Sequence, residues 1–159
     1  MTLQLEGPLA MRGDVPLGEW CPMDRTLKMI GNRTALLLLR EAFYGVTRFE
    51  RLCKRVGVTE AVAAQRLREL VTAGVLEKQP YREPGQRTRS EYVLTPAGHD
   101  LIPVVLGLLQ WGAAHASDGD GVVMTHAGCG AEVRTVVRCA AGHDVDESDV
   151  VVASGDSSH

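Results

Sequence analysis

Apolar and polar positions follow a helical period over residues 59–74, TEAVAAQRLRELVTAG. At about 100° per residue, Val62, Ala63, Leu67, Leu70 and Ala73 fall on one side, and Ala61, Ala64, Gln65, Arg68 and Thr72 on the other. Thr59 has the side chain of an N-cap and Gly74 suits the position just past a helix end, so both limits have a physical cause. Taken alone, the pattern fits any amphipathic helix. The preceding VTRFERLCKRVG predicts a shorter helix with Phe49, Leu52 and Val56 at core spacing. The following VLEKQPYREPGQRTRSEYVLTPAG places β-branched and aromatic runs on either side of Pro84-Gly85, predicting a strand, an arginine-bearing loop and a return strand.

Helix, tight turn at Gly57, second helix, then hairpin is the order of a winged helix-turn-helix. Upstream, residues 1–20 are rich in Gly and Pro without a sustained period and read as a flexible arm. After Cys21-Pro22, Met23, Leu27 and Ile30 sit at helical spacing before Gly31. Residues 32–44 contain ALLLLREAF, whose apolar positions nearly circle the axis, as in a helix at a domain centre. Downstream, Thr95-Pro96-Ala97-Gly98 reads as a cap with Pro at the first helical position. The DLIPVVLGLLQWG that follows carries more apolar surface than a small core needs, with Pro103 and Gly107 signalling a kink. Its lid is either a second copy across a two-fold axis or the helix's own domain. Residues 118–121 read as a linker, VVMTHAGCGAEVRTVVRCAAGHDV as two short strands and a turn, and SGDSSH as a frayed end.

The expected architecture is mainly α with a small β wing (α+β). It divides into an arm (1–20), a winged helix-turn-helix DNA-binding and dimerisation domain (21–116) and an acidic extension (117–159) holding a short β-hairpin of degenerate zinc-ribbon character.

The net charge of −3 hides two opposed halves. Residues 48–89 hold ten basic side chains against five acidic, a surplus of +5, and residues 117–159 hold two against eight, or −6. Positive potential therefore gathers where the two helices and wing lie. No run of about 18 apolar residues predicts a membrane span. The opening MTLQLEGPLAMRGD lacks a basic segment leading into an apolar one, so a cytoplasmic location is expected. No phosphate-binding glycine loop or nucleophile elbow is present, and no enzyme is expected.

CPMDRTLKMIG, the Leu-rich helix, RFERL, AAQRLRELVTAGVLEK, SEYVLTPAG with Tyr92, and LLQWG together resemble the HxlR-type winged helix-turn-helix transcriptional regulators across residues 21–112. The resemblance implies a homodimer on an inverted-repeat operator, with the N-terminal and last long helices building the dimer. Leu27, Leu101, Val105, Leu108, Leu109 and Trp111 are the residues expected at that seam. The chain departs from the usual pattern at Asn32-Arg33-Thr34, where a Lys-Trp pair is common, and at Arg51, where an acid is frequent.

A major groove admits one helix, and its base edges are read by short polar or forked side chains. Gln65 suits adenine, Arg68 guanine and Ala64 a thymine methyl, with Thr59 and Glu60 at the end that meets the duplex. Arg82, Arg87 and Arg89 on the wing would meet phosphates or the minor groove, and Arg51, Lys54 and Arg55 the backbone. Arg66 falls on the inward side and is expected to form a structural ion pair with Glu41 or Glu50.

Of four cysteines, Cys53 reads as a core filler. Cys21 begins a helix, where amides favour a thiolate. Some HxlR-type regulators sense oxidants at this Cys-Pro position, the alternative being an unreactive thiol at the dimer seam. His126, Cys129, Cys139 and His143 make two knuckles, of which the second lacks a properly spaced cysteine; zinc, a Cys129–Cys139 disulfide and a metal-free hairpin all remain open. No cofactor is expected. The reading is a DNA-binding regulator, a repressor acting as a homodimer, with a thiol- or metal-responsive sensor and a protein-interaction module as alternatives.

Overall fold

The structure is a computed structural model and describes residues 2–116 and 121–155. The expected linker, apart from Gly121, and all but the first two residues of the expected frayed end lie outside the described residues. In chain order the elements are β1 (Gln4–Leu5), α1 (Pro8–Met11), α2 (Pro22–Ile30), α3 (Arg33–Phe43), α4 (Phe49–Val56), α5 (Glu60–Thr72), β2 (Leu76–Tyr81), β3 (Arg89–Leu94), α6 (Pro96–His99), α7 (Ile102–His115) and β4 (Val151–Val152). Two compact units result, one spanning residues 19–123 and the other made of residues 1–18 with 124–159.

In the larger unit, α3 is the central helix. Asn32 caps it, its Oδ1 accepting from the Thr34 and Ala35 amides at 2.9 and 3.4 Å. The expected all-round apolar character resolves into two stripes. Ala35, Leu38, Leu39 and Ala42 enter the core, whereas Arg33, Leu36, Leu37 and Arg40 form a second face at the same i, i+3, i+4, i+7 spacing. Leu52 of α4, Leu67 and Leu70 of α5, and Leu76 of β2 complete the core. Each fully buried leucine contributes about 1.5–3 kcal/mol. Phe49 and Val56 pack against it as their spacing predicts.

The α4–α5 turn is set by Gly57, whose φ of 73° lies in the left-handed region. Its amide and that of Val58 both donate to the Cys53 carbonyl. β2 and β3 pair antiparallel from Leu76↔Leu94 to Tyr81↔Arg89 around the Pro84-Gly85 turn. Thr47 fixes this wing from the other side: its carbonyl accepts from the Tyr92 amide at 2.8 Å and its Oγ1 donates to Glu91 Oε2 at 2.9 Å.

Three expectations change here. Val62 is 41% exposed, because the buried face of α5 centres on Ala63, Leu67 and Leu70, about 100° away. The last long helix does not kink at Pro103; it starts at Ile102, which leaves proline in the first turn where no amide partner is lost, and the break falls before it, after α6. The expected C-terminal hairpin is instead two separate turns, each closed by a single bridge, Thr125↔Glu132 and Arg138↔Asp144. Gly130 and Gly142, both at positive φ, bend the chain too soon for longer ladders.

The N-terminal residues also differ from a loose arm, since β1 pairs in parallel with β4 through Gln4↔Val151 and Leu5↔Val152. No helix among the described residues is long and apolar enough to cross a membrane.

Candidate nucleic-acid interface

The Thr59 side chain accepts from the Val62 amide at 3.3 Å, starting α5 where the sequence places it. Packing of Ala63, Leu67 and Leu70 turns Ala61, Gln65, Arg68 and Thr72 outward, all exposed, with Thr59 and Glu60 exposed at the helix start and Ala64 half-buried on the flank. Gln65 Nε2 donates to Glu69 Oε1 at 3.2 Å, and Arg66 Nη1 to Glu69 Oε2 at 2.6 Å. Hydrogen bonding from Arg66, opposed only in part by desolvation, holds the Glu69 carboxyl below its ordinary value. Arg66 is therefore ion-paired, but with Glu69 of its own helix, not with Glu41 or Glu50. The i, i+3 spacing carried that signal.

Glu41 and Glu50 have other partners. The buried Glu41 accepts at Oε1 from Arg40 (Nε 3.1 Å, Nη2 2.7 Å) and at Oε2 from Arg55 Nε. Burial by itself raises the Glu41 pKa, and the bonds and charges of Arg40 and Arg55 outweigh it, leaving a net lowering. Arg55 thus ties α4 to α3. Arg89 pairs with Glu50 at 3.3 Å, tying the wing to α4, and Arg82 Nε donates to the Gln86 carbonyl at 3.0 Å across the wing loop. Arg48, unassigned from sequence, pairs with Glu83 at 2.6 Å and lies 5.0 Å from the centroid of the Tyr81 ring. Among the described residues Arg51, Lys54, Arg68 and Arg87 form no salt bridge or side-chain hydrogen bond, and all four are exposed. Uncompensated positive charge thus sits on α4, on the outward face of α5 and on the wing.

The family model for the HxlR-like helix-turn-helix matches residues 29–120. The chain belongs to the HxlR-like helix-turn-helix family. An HTH-type transcriptional regulator of Mycobacterium tuberculosis, Rv3095, is 34% identical over 134 residues, covering 82% of this chain and 84% of that one. YdeP of Bacillus subtilis, also named an HTH-type transcriptional regulator, is 34% identical over 95 residues, 59% of this chain and 73% of its own. Among solved structures, PA1607, a candidate transcription factor, superimposes with a TM-score of 0.75 at 32% identity, covering 86% of this chain and 96% of that one. The redox regulator HypR in its reduced form gives 0.54 at 28% identity over 59% of this chain and 92% of its own. This HxlR-like chain is accordingly a helix-turn-helix transcriptional regulator with a winged-helix fold.

The residues expected at the HxlR-type dimer seam divide into two sets. Leu27, Leu108 and Trp111 are 57%, 52% and 63% exposed. Val105 is buried within its own unit, Leu101 packs against the core, and Leu109 is half-buried. Val105 thus packs α7 onto its own unit, while the Leu108 and Trp111 face of the same helix is exposed.

Cys21 is the half-buried N-cap residue of α2 and Cys53 is buried, its thiol pKa raised by desolvation and then by Glu60. In the other unit, His126 Nδ1 lies 3.2 Å from Cys129 Sγ, and Cys139 Sγ lies 3.6 Å from His143 Nδ1. The His143 amide and its neighbours draw the Cys139 thiol pKa below its ordinary value. Among the described residues no three His, Cys, Asp or Glu side chains gather as metal donors, so the knuckles stand as separate pairs. Zinc's four-donor shell is not assembled by them.

Proposed function

We propose that this chain is a sequence-specific DNA-binding repressor that acts in the cytoplasm as a homodimer on an inverted-repeat operator. Its recognition helix α5 enters the major groove, where Gln65 and Arg68 read base edges and Ala64 approaches a thymine methyl. Thr59 and Glu60 face the duplex at the helix start. Arg51 and Lys54 hold phosphates before the groove, and Arg87 with Arg82 and Arg89 carries the wing to the adjacent backbone or minor groove. Arg89 and Arg55 must each share their charge with a carboxylate of this chain. The exposed Leu27, Leu108 and Trp111 supply the apolar seam between copies.

The observation that carries this reading is the outward face of α5. It is polar, ungapped by core residues and flanked by four cations with no internal salt bridge among the described residues. The names of Rv3095 and YdeP as HTH-type transcriptional regulators support it. The test is selection of bound duplexes from a random library, followed by titration of the winner with Arg68→Ala and Gln65→Ala. A lost base contact costs about 1–3 kcal/mol, so each variant should lose roughly 5- to 150-fold on the selected site and little on random duplex. No binding to any duplex at low salt, with the protein folded, would reject the reading in favour of a protein-interaction module.

A further inference from the structure

The second face of α3 lies against α7 without closing on it. A cleft of about 420 Å³ remains between the two helices, walled by Leu36, Leu37, Val105, Leu109 and Leu108, the last of which also borders the face proposed as the seam between copies. Arg33 and Arg40 line the same cleft. Small-molecule sites run from about 300 to 1,000 Å³ and combine apolar walls with a few polar groups that fix orientation. Both halves of that description are met within one unit of the chain.

The charges specify the polar end of the occupant. Arg33 is exposed and has no salt bridge among the described residues. Arg40 donates Nε and Nη2 to one oxygen of Glu41, which leaves Nη1 without an acceptor among the described residues. Glu41 is itself shared with Arg55, and the cleft is lined by two guanidinium groups, Arg33 and Arg40, and by no carboxylate. Guanidinium groups match a carboxylate in a planar, two-pronged fashion. Placing a neutral or cationic ligand there would leave that surplus unmet.

We propose that the α3–α7 cleft binds a small organic acid, a carboxylate carried on an aromatic or branched apolar body, with Arg33 and Arg40 holding the carboxylate and the leucine walls the body. The site is separate from the outward face of α5. α3 nevertheless packs against both α5 and α7, so an acid in the cleft stiffens the helix on which the recognition helix rests. The binding claim does not depend on the reading of α5, because it is tested without DNA.

The probe is 1-naphthoate, titrated calorimetrically into the full chain, with 1-naphthamide as a neutral molecule of the same shape. The expected result is one naphthoate per chain and at least tenfold weaker binding of the amide. Arg33→Gln, on an exposed position, should weaken naphthoate about tenfold and leave the amide unchanged. Leu37→Trp fills the cleft and should abolish both, with circular dichroism confirming that it folds. Should that variant not fold, Arg33→Gln alone carries the test. Equal binding of acid and amide, an unchanged affinity in Arg33→Gln, or no heat at millimolar naphthoate would each overturn the proposal. So would dissociation of a dimer by Leu37→Trp in light scattering, which would make a second copy of the chain the occupant.

Discussion

Glu41 offers the sharpest test of how this unit is held together. Its side chain is 3% exposed, whereas those of Arg40 and Arg55 are 30% and 47% exposed. Replacing the anion strands two cations that can recover water; replacing the cations strands a carboxylate that cannot. Glu41→Gln keeps one carbonyl oxygen for a single guanidinium bond, loses the charge-assisted part of the others and escapes the desolvation cost of a buried carboxylate. The balance is about 1–2 kcal/mol of lost stability. Arg40→Met with Arg55→Met leaves the carboxylate buried and unpaired, a situation that costs about 3–5 kcal/mol. At roughly 4 °C per kcal/mol for a unit of this size, the first variant should melt about 4–8 °C below the parent and the double variant about 12–20 °C below it.

The pH dependence has a definite sign. The folded-state pKa of Glu41 lies below the ordinary value of 4.5, so its contribution is complete above that value and disappears as pH falls through the folded one. Thermal melts of parent and Glu41→Gln should therefore differ at pH 7 and converge in acid. Coincident melts at pH 7, an undiminished gap at the acid end, or a double variant no worse than Glu41→Gln would refute the reasoning.

Arg87→Gln should weaken binding to most duplexes alike and reduce the slope of log affinity against log salt by about 0.9 in a salt titration. Gly98→Ala would put a Cβ 2.2 Å from the Val75 carbonyl oxygen, a backbone atom that cannot step aside, and should cost about 3 kcal/mol in a chemical melt. Arg66→Ala should leave the melting temperature unchanged yet lower DNA affinity, because it uncovers the Glu69 carboxylate beside Gln65; Arg66→Ala with Glu69→Gln should restore affinity in the same anisotropy assay.

Most of the helix-turn-helix was legible because its signals are local. Thr59, Gly57 and Gly74 act on their own neighbours through hydrogen bonds and φ, and the hairpin follows from runs on either side of Pro84-Gly85. The outward placement of Gln65 and Arg68 needed only the helical period. What the sequence hid was partner choice over distance. Arg55 reaches Glu41 fourteen positions back and Arg89 reaches Glu50 thirty-nine back, and a flexible arginine offers no pattern that picks one carboxylate from several. β1 and β4 pair over only two residues, too short for any side-chain alternation to register. Arg66 is a different failure, since Glu69 stood three residues away. The angle of Arg66 lies on the edge of the buried face, and a side chain of that length turns there to its own helix.

Counting cations therefore overstates what the surface offers to a polyanion. Of the ten in residues 48–89, Arg48, Arg55, Arg66 and Arg89 are each engaged by a carboxylate of the same chain; those pairs join α3 to α4 once and α4 to the wing twice, and one lies within α5. A paired cation that turned to a phosphate would give up part of a joint within the chain, so each would add less to duplex binding than an unpaired one. Arg51, Lys54, Arg68, Lys78, Arg82 and Arg87 carry no such obligation among the described residues. Six cations without a carboxylate partner per protomer imply a salt slope of at most about −5.4, or about −11 for two protomers on one operator, against about −18 if all ten were engaged. The carboxylates of Glu41, Glu50, Glu69 and Glu83 thus sort the cations of this segment into those tied within the chain and those left exposed without a carboxylate partner among the described residues.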